Sequence, residues 1–324
     1  MDAFLDAFRE LLACPACGGP MGSGWHCRGC GVRYTAPDGI PNLRLGGDAR
    51  TEAVRRFYEY APFPGFRAHD TLASLHARAE RSKFARLLDA AIAGDARILE
   101  IGCGTGQMSL YLARAERIVI GADLSRAALS LGQAAARRLG LTGVQFVETD
   151  LRRPGLRAGA FDVIYASGVL HHTPSPRASF ARIAELARPG AMVVVGLYNA
   201  FARIPLRLRR LVARASGYRW IPFDPVLRER NGEPARRQAW LRDQYQHPEE
   251  HRHTLREVQR WFAETGVEYV RTYPSALFGE TADDLLSAAG DTWTPEAWLA
   301  QLGWMRSLGH EGGLFMMVGR RRAA

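Results

Sequence analysis

The sequence predicts an α/β protein in which a doubly wound, mostly parallel sheet follows a small metal-stapled domain. Three observations carry that prediction. From residue 97 onward, short apolar runs of strand length alternate with helical patterns. The first of these runs ends in a glycine-rich turn, "ILEIGCGTGQ". Ahead of them, residues 14–30 hold two C-x2-C pairs separated by nine residues.

The pairs are Cys14 with Cys17 and Cys27 with Cys30, each on a tight turn beside Pro15, Gly18, Gly29 or Gly31. Such turns let four thiolates converge on one tetrahedral zinc ion. The ion also stands in for a core too large for so short a ribbon to build, since metal binding feeds on the order of 10 kcal/mol into folding. Disulfides are the alternative, disfavoured in a reducing compartment, and His26 is a possible substitute for Cys27 as ligand. With four thiolates and no open position the predicted role is structural.

After a short linker, Thr51 to Tyr60 reads as a helix stopped by "APFPGF", and Thr71 to Ala93 as one long amphipathic helix ended at Gly94. Seven strands follow in the order Arg97–Ile101, Ile118–Ala122, Val144–Glu148, Phe161–Ala166, Met192–Tyr198, Val267–Thr272 and Gly313–Arg320. Helices are predicted over 107–114, 125–139, 176–187 and 254–265. Two segments interrupt the alternation, 199–250, rich in arginine and aromatics, and 274–311, which carries Trp293, Trp298 and Trp304. Insertions of that length serve as lids, binding elements or extra core-capping helices.

Composition sets outer limits. An apolar share of 47% and a charged share of 23% are ordinary for a globular chain of 324 residues. The start "MDAFLDAFRELLAC" lacks a signal-peptide pattern, and runs such as Ala191–Val195 are too short to cross a bilayer, so a cytoplasmic protein is expected. The net charge is +10, and Lys83 is the single lysine. Between Phe201 and Arg260, fourteen arginines face seven acids, either a solvated helical face or a patch for nucleic acid or an acidic substrate.

The glycine turn comes with acids at successive strand ends: Glu100 before Gly102, Gly104 and Gly106, then Asp123, then Asp150. Ligands of parallel sheets bind at those ends, and three acids there accept hydrogen bonds from hydroxyls and amines. A nicotinamide dehydrogenase, with its single acid, accounts for neither Asp150 nor the pair His171-His172.

The constellation resembles the class I S-adenosylmethionine-dependent methyltransferases over about residues 50–200 and the last strands. The resemblance implies a Rossmann-like sheet in which Gly102, Gly104 and Gly106 line the methionine and ribose portion. It implies that Asp123 binds the ribose hydroxyls, Leu124 packs on adenine, Asp150 and Leu151 contact the adenine amine and ring, and Glu100 orders the methionyl amino group. Cys103 in the turn and Ser167 after the fourth strand belong to the same set, and Tyr58 and Tyr60 could lie against the sulfonium. The stretch "LLACPACGGPM…WHCRGCGVRYTAPDGIPNL" resembles the small zinc-ribbon proteins that activate methyltransferases. The expected organisation is therefore an N-terminal helix and zinc ribbon over 1–46, a linker with cofactor-capping helices over 47–94, and a methyltransferase domain over 95–324.

Methyl transfer needs an aligned acceptor and often a base. His171 and His172 follow the fourth strand, where the acceptor approaches; either serves as base or caps the turn before Pro174. Tyr198, Asn199, Tyr245 and His247 are candidates to contact the acceptor, with His251 and His253 nearby. The chain lacks the Asn/Asp-Pro-Pro-Tyr motif for exocyclic base amines and a cysteine placed to attack a pyrimidine. The expected acceptor is a small metabolite or natural-product intermediate, methylated at oxygen, nitrogen or carbon. The alternative is RNA gripped by the ribbon and the arginine patch.

Overall fold

The computed structural model describes the chain except residues 1, 61, 63–65, 67–69, 230–232, 278, 279, 281, 282, 288–294, 309–311 and 324. Seven strands form one sheet: β1 (Arg97–Ile101), β2 (Ile118–Asp123), β3 (Val144–Glu148), β4 (Phe161–Ser167), β5 (Ala187–Tyr198), β6 (Val267–Tyr273) and β7 (Leu314–Arg321). Their order is β3-β2-β1-β4-β5-β7-β6, with β7 antiparallel to both neighbours and the other pairings parallel. Helices fill the connections: α1 (Asp2–Glu10), α2 (Ala49–Tyr60), α3 (Leu72–Ala79), α4 (Lys83–Ala91), α5 (Gln107–Leu112) and α6 (Arg126–Arg138) in the first half. Then come α7 (Pro176–Ala184), α8 (Ile204–Ala215), α9 (Pro225–Glu229), α10 (Pro234–Gln246), α11 (Leu255–Glu264) and α12 (Pro295–Ser307).

Residues alternate across the sheet, so it carries two cores. Leu99, Ile120, Ile164 and Val193 join Phe180 of α7 and Phe262 of α11 on one face. Ile98, Val119, Val163 and Val194 join Leu88 of α4, Leu110 of α5 and Leu129 of α6 on the other. Burial on both faces explains why these strands read as continuous apolar runs. The chain leaves β1 toward β2 on one side and returns to β4 on the other, so a crevice opens at the strand ends between them.

The long helix expected over 71–93 is two. A capping box between Thr71 and Ser74 starts α3, and the Ser82 hydroxyl accepts the Ala85 N–H at 3.4 Å to start α4. A serine able to cap in mid-helix was the signal for that break. The arginine-rich insertion becomes α8, α9 and α10 around a small core of Leu206, Ala213, Val226, Leu227, Trp240 and Tyr245. In the later insertion Trp304 is buried against Phe315, at 5.7 Å between rings, and Trp298 meets the Phe201 ring edge; Trp293 lies outside the described residues.

Residues 11–43 do not hang apart from the sheet. The Ala13 N–H donates to Gly155 O at 2.9 Å, and Leu43 N–H donates to Glu148 O at 2.8 Å. The Asn42–Glu148 bridge adds a parallel rung beyond β3. Phe8, Leu11, Leu12 and Leu43 belong to the same buried cluster as β1 and β4. The N-terminal segment thus covers the β3 edge, which would otherwise present unpaired backbone groups.

Candidate functional site

The four N-terminal cysteines converge. Their sulfurs all lie within 4.8 Å of one another, with Cys14–Cys30 at 3.7 Å and Cys17–Cys27 at 3.4 Å. A tetrahedral zinc with bonds of about 2.3 Å spaces its sulfurs by about 3.8 Å, so the thiol set fits such an ion. Backbone N–H groups of Gly29 and Cys30 point at Cys27 Sγ, at 3.3 and 3.4 Å, as thiolates require. A Cβ at Gly19 would come within 3.1 Å of Cys27 Sγ and 3.2 Å of Cys17 Sγ, so a side chain there would crowd the two sulfurs by a few tenths of an ångström. Among the described residues no other group could hold a metal. His251 and His253 instead pair with Glu249 and Glu257, at 2.8 and 2.9 Å.

The second site is a cavity of about 620 Å³ in the crevice at the strand ends, within the size range of small-molecule pockets. The glycine turn forms its floor. A Cβ at Gly102 would strike Val169 at 2.4 Å, and one at Gly106 the Phe146 ring at 2.4 Å; both glycines have positive φ, 67° and 75°. Asp123 at the end of β2 braces the turn, accepting the Gly104 N–H on one oxygen and the Ser125 N–H on the other, each at 2.8 Å. Burial raises its pKa, against the pull of these N–H groups. Glu100 is buried and accepts the Ser109 hydroxyl. Desolvation lifts its pKa from 4.5 to about 8, with the Asp123 charge adding to the rise. Asp150 is tied to Arg152, accepting its backbone N–H at 2.9 Å and its guanidinium at 2.7 Å. Leu124, Leu151, Cys103 and Ser167 complete this half of the wall.

The other half is contributed by β5, α2, α10 and the turn after β4. His172 lines the cavity, and its Nδ1 lies 2.7 Å from the Glu249 carbonyl oxygen. A carbonyl only accepts, so Nδ1 carries the proton and Nε2 keeps its lone pair. Burial lowers the His172 pKa and keeps the ring neutral. Tyr58 donates to Asp243 at 2.9 Å, and Gln244 Nε2 donates to both Asp243 at 2.7 Å and the Tyr198 hydroxyl at 2.8 Å. The fully buried Arg203 lies 3.6 Å over the Tyr198 ring and bonds Gln244 and Glu250. Burial works against ionising Glu250, but Arg203 and Arg210 outweigh it and lower its pKa.

Several expected residues lie elsewhere. Tyr60 is 77% exposed under the Arg242 guanidinium, because two residues along a helix turn it about 200° from Tyr58. Tyr245 follows Gln244 by about 100° and faces the other way, donating its hydroxyl to Asp224 at 2.6 Å inside the small helical core. Asn199 is fully buried and already committed to Gln301 and to the N–H groups of Phe201 and Ala202. His171 points into the protein, stacked on Tyr198 at 3.8 Å, with both ring nitrogens unpaired. His247 stands behind the wall, stacked on His172 at 3.6 Å, its pKa pushed down to about 2 chiefly by burial. Gly106 shapes the turn without touching the cavity. Unforeseen lining residues are Trp240, Asp243, Gln244, Tyr165, Tyr273 and Met316. The one available signal was an acid–amide pair, Asp243-Gln244, in an insertion otherwise dominated by arginine.

Residues 99–195 match the family described as "Methyltransferase domain". That match and the glycine turn set residues 99–195 among methyltransferase domains. An uncharacterized protein of Synechococcus is 28% identical over 220 residues, 58% of this chain and 52% of its own length. A ubiquinone biosynthesis O-methyltransferase of Nitrosococcus oceani is 35% identical over 111 residues, 34% of this chain and 46% of its own. The chain thus spans about half the length of these curated relatives. Among solved structures, the magnesium protoporphyrin IX methyltransferase of Synechocystis, crystallised with bound SAH, is 16% identical with a TM-score of 0.46, over 85% of this chain and 94% of that one. No described helix is long and apolar enough to cross a membrane.

Proposed function

We propose that the chain methylates a small, largely apolar acceptor at a hydroxyl oxygen, with His172 as the base. Bound at the glycine turn, S-adenosylmethionine would supply an electrophilic methyl group. Asp123 would hold the ribose hydroxyls, Glu100 the amino group, Leu124 and Leu151 the adenine faces, and Asp150 the adenine amine. Tyr58, Trp240, Tyr165, Tyr273 and Met316 would then enclose the acceptor and exclude water. The order of strand ends and turn agrees with a methyltransferase domain, and the O-methyltransferase relative supports oxygen as the acceptor atom. A mainly aromatic and aliphatic wall suits a small organic molecule better than an RNA strand, which needs an open basic groove. Zn²⁺ on Cys14, Cys17, Cys27 and Cys30 would serve structure only.

The observation that carries the reading is the His172 tautomer: a neutral ring in the cavity wall whose Nδ1 proton is committed to the Glu249 carbonyl, which leaves Nε2 as the basic nitrogen. His172→Gln should lower turnover about 100-fold or more while S-adenosylhomocysteine binding stays within a factor of about three. Because burial depresses the ring's pKa, the parent's rate at saturating cofactor should stay level as pH falls through the ordinary imidazole value of about 6.5. A H172Q enzyme with the parent's rate on a methylated acceptor would remove the base from the scheme.

A further inference from the structure

In the cap built by α8, α9 and α10, Trp240 meets the cavity, while several large apolar side chains of α8 and of the connection to α9 are exposed. On α8 the outward positions are Arg207, Leu208, Leu211 and Arg214, spaced to share one face. Leu208 and Leu211 are 60% and 64% exposed. On the connection to α9, Trp220 and Phe223 are 62% and 74% exposed, with Arg219 between Tyr218 and Trp220 and the Arg228 guanidinium 5.4 Å over the Phe223 ring. A monomer seldom leaves four large apolar side chains outside on one small element.

Charge indicates what would meet them. Of the seven arginines from Phe201 to Arg228, Arg203 is buried and Arg210 pairs with Glu250, which leaves five against a single acid, Asp224, itself buried and holding Tyr245. Among the described residues Arg207 and Arg214 pair with no carboxylate. Arg252 has its pKa lowered by burial and then by the Arg207 charge, so positive charge is crowded there. A second copy of the chain would bring the same charge against this face. A nucleic acid would satisfy the arginines but leave Leu208 and Leu211 without a base to stack on, since stacking needs aromatic or guanidinium planes. An anionic lipid surface answers both features: headgroups take the guanidiniums, and the leucines, tryptophan and phenylalanine enter the boundary of the acyl chains. At twelve residues α8 is too short to span a bilayer and would lie along it.

We infer that the outer side of this cap is a docking surface for an anionic membrane, seating the chain peripherally through α8 and the loop that follows it. The inference concerns the surface alone and is independent of what the cavity binds. It is tested by sedimenting the full chain with phosphatidylcholine vesicles, with and without phosphatidylglycerol, at low and high salt. Binding should require the anionic lipid and fall with salt. Arg207→Gln with Arg214→Gln should weaken it about 25-fold, at about fivefold per charge. Leu208→Ser with Leu211→Ser should weaken it about tenfold or more without altering the circular dichroism spectrum or S-adenosylhomocysteine binding. These are surface positions, so the variants should fold; Trp220→Ser with Phe223→Ser provides a second, separate pair. Three results would each overturn the inference: no binding to anionic vesicles by the folded parent, RNA binding that needs the arginines but ignores the leucines, or self-association in place of vesicle binding that the L208S/L211S pair abolishes.

Discussion

Replacing Glu100 by glutamine isolates the energetic consequence of placing a carboxyl group beneath the glycine turn. Its pKa rises from 4.5 to about 8, mainly through desolvation, so the folded chain keeps the proton over a range where the unfolded chain has lost it. The native state then binds more protons than the unfolded state, and stability must fall as pH rises from about 4.5, levelling off above about 8. One unit is worth about 1.4 kcal/mol, and between about pH 5.5 and 8 the loss amounts to roughly 3 kcal/mol. Glutamine cannot ionise, and its Oε1 still accepts the Ser109 hydroxyl. In urea unfolding of the two proteins side by side, without cofactor, E100Q should therefore gain on the parent by roughly 3 kcal/mol across that window. Other titrating groups cancel in the difference. Cofactor affinity should move the other way: the parent should bind S-adenosylmethionine more tightly as pH approaches 8 and the carboxylate forms, while E100Q binds weakly at every pH. A stability difference that stays flat would mean that Glu100 is ionised throughout and that the burial argument fails.

Three other substitutions address the remaining parts. Asp123→Ala removes the acceptor of two backbone N–H groups and the proposed ribose partner, and should lower S-adenosylhomocysteine affinity about 100-fold by calorimetry; a change below about threefold would exclude the ribose assignment. Cys27→Ser should abolish binding of the proposed zinc and lower the melting temperature of the whole chain, because Leu11, Leu12 and Leu43 share a core with the sheet. Metal analysis that still finds one zinc per chain would show a different ligand set. Gly106→Ala forces a side chain into a positive φ and onto the Phe146 ring, and should cost about 1–3 kcal/mol in chemical denaturation; a neutral result would mean that the turn relaxes freely.

Much of the sheet was legible because its strands are buried on both faces and are bounded by glycine or by charged turns. The half of the cavity proposed for the cofactor was legible for a related reason: Glu100, Asp123 and Asp150 each end a strand, and strand ends of a parallel sheet share one rim. The half proposed for the acceptor was not. It depends on which way α2 and α10 are seated, and along a helix each residue turns the side chain by about 100°, so Tyr58 and Gln244 enter the cavity while Tyr60 and Tyr245 leave it. His171 and His172 make the same point within a single turn, where adjacent imidazoles have different surroundings and only one faces the cavity.

By itself the sequence determined the alternation of strand and helix, the glycine turn with its acids, and the convergence of four cysteines. These follow from local periodicity and from spacings that backbone geometry converts directly into position. Only the tertiary structure decided that the N-terminal segment covers the β3 edge, that Asp243 and Gln244 join Tyr58 and Tyr198 at the cavity, and that Leu208 and Leu211 remain outside. Those outcomes depend on contacts between segments far apart in the chain, and no short-range pattern encodes which face of one packs against another.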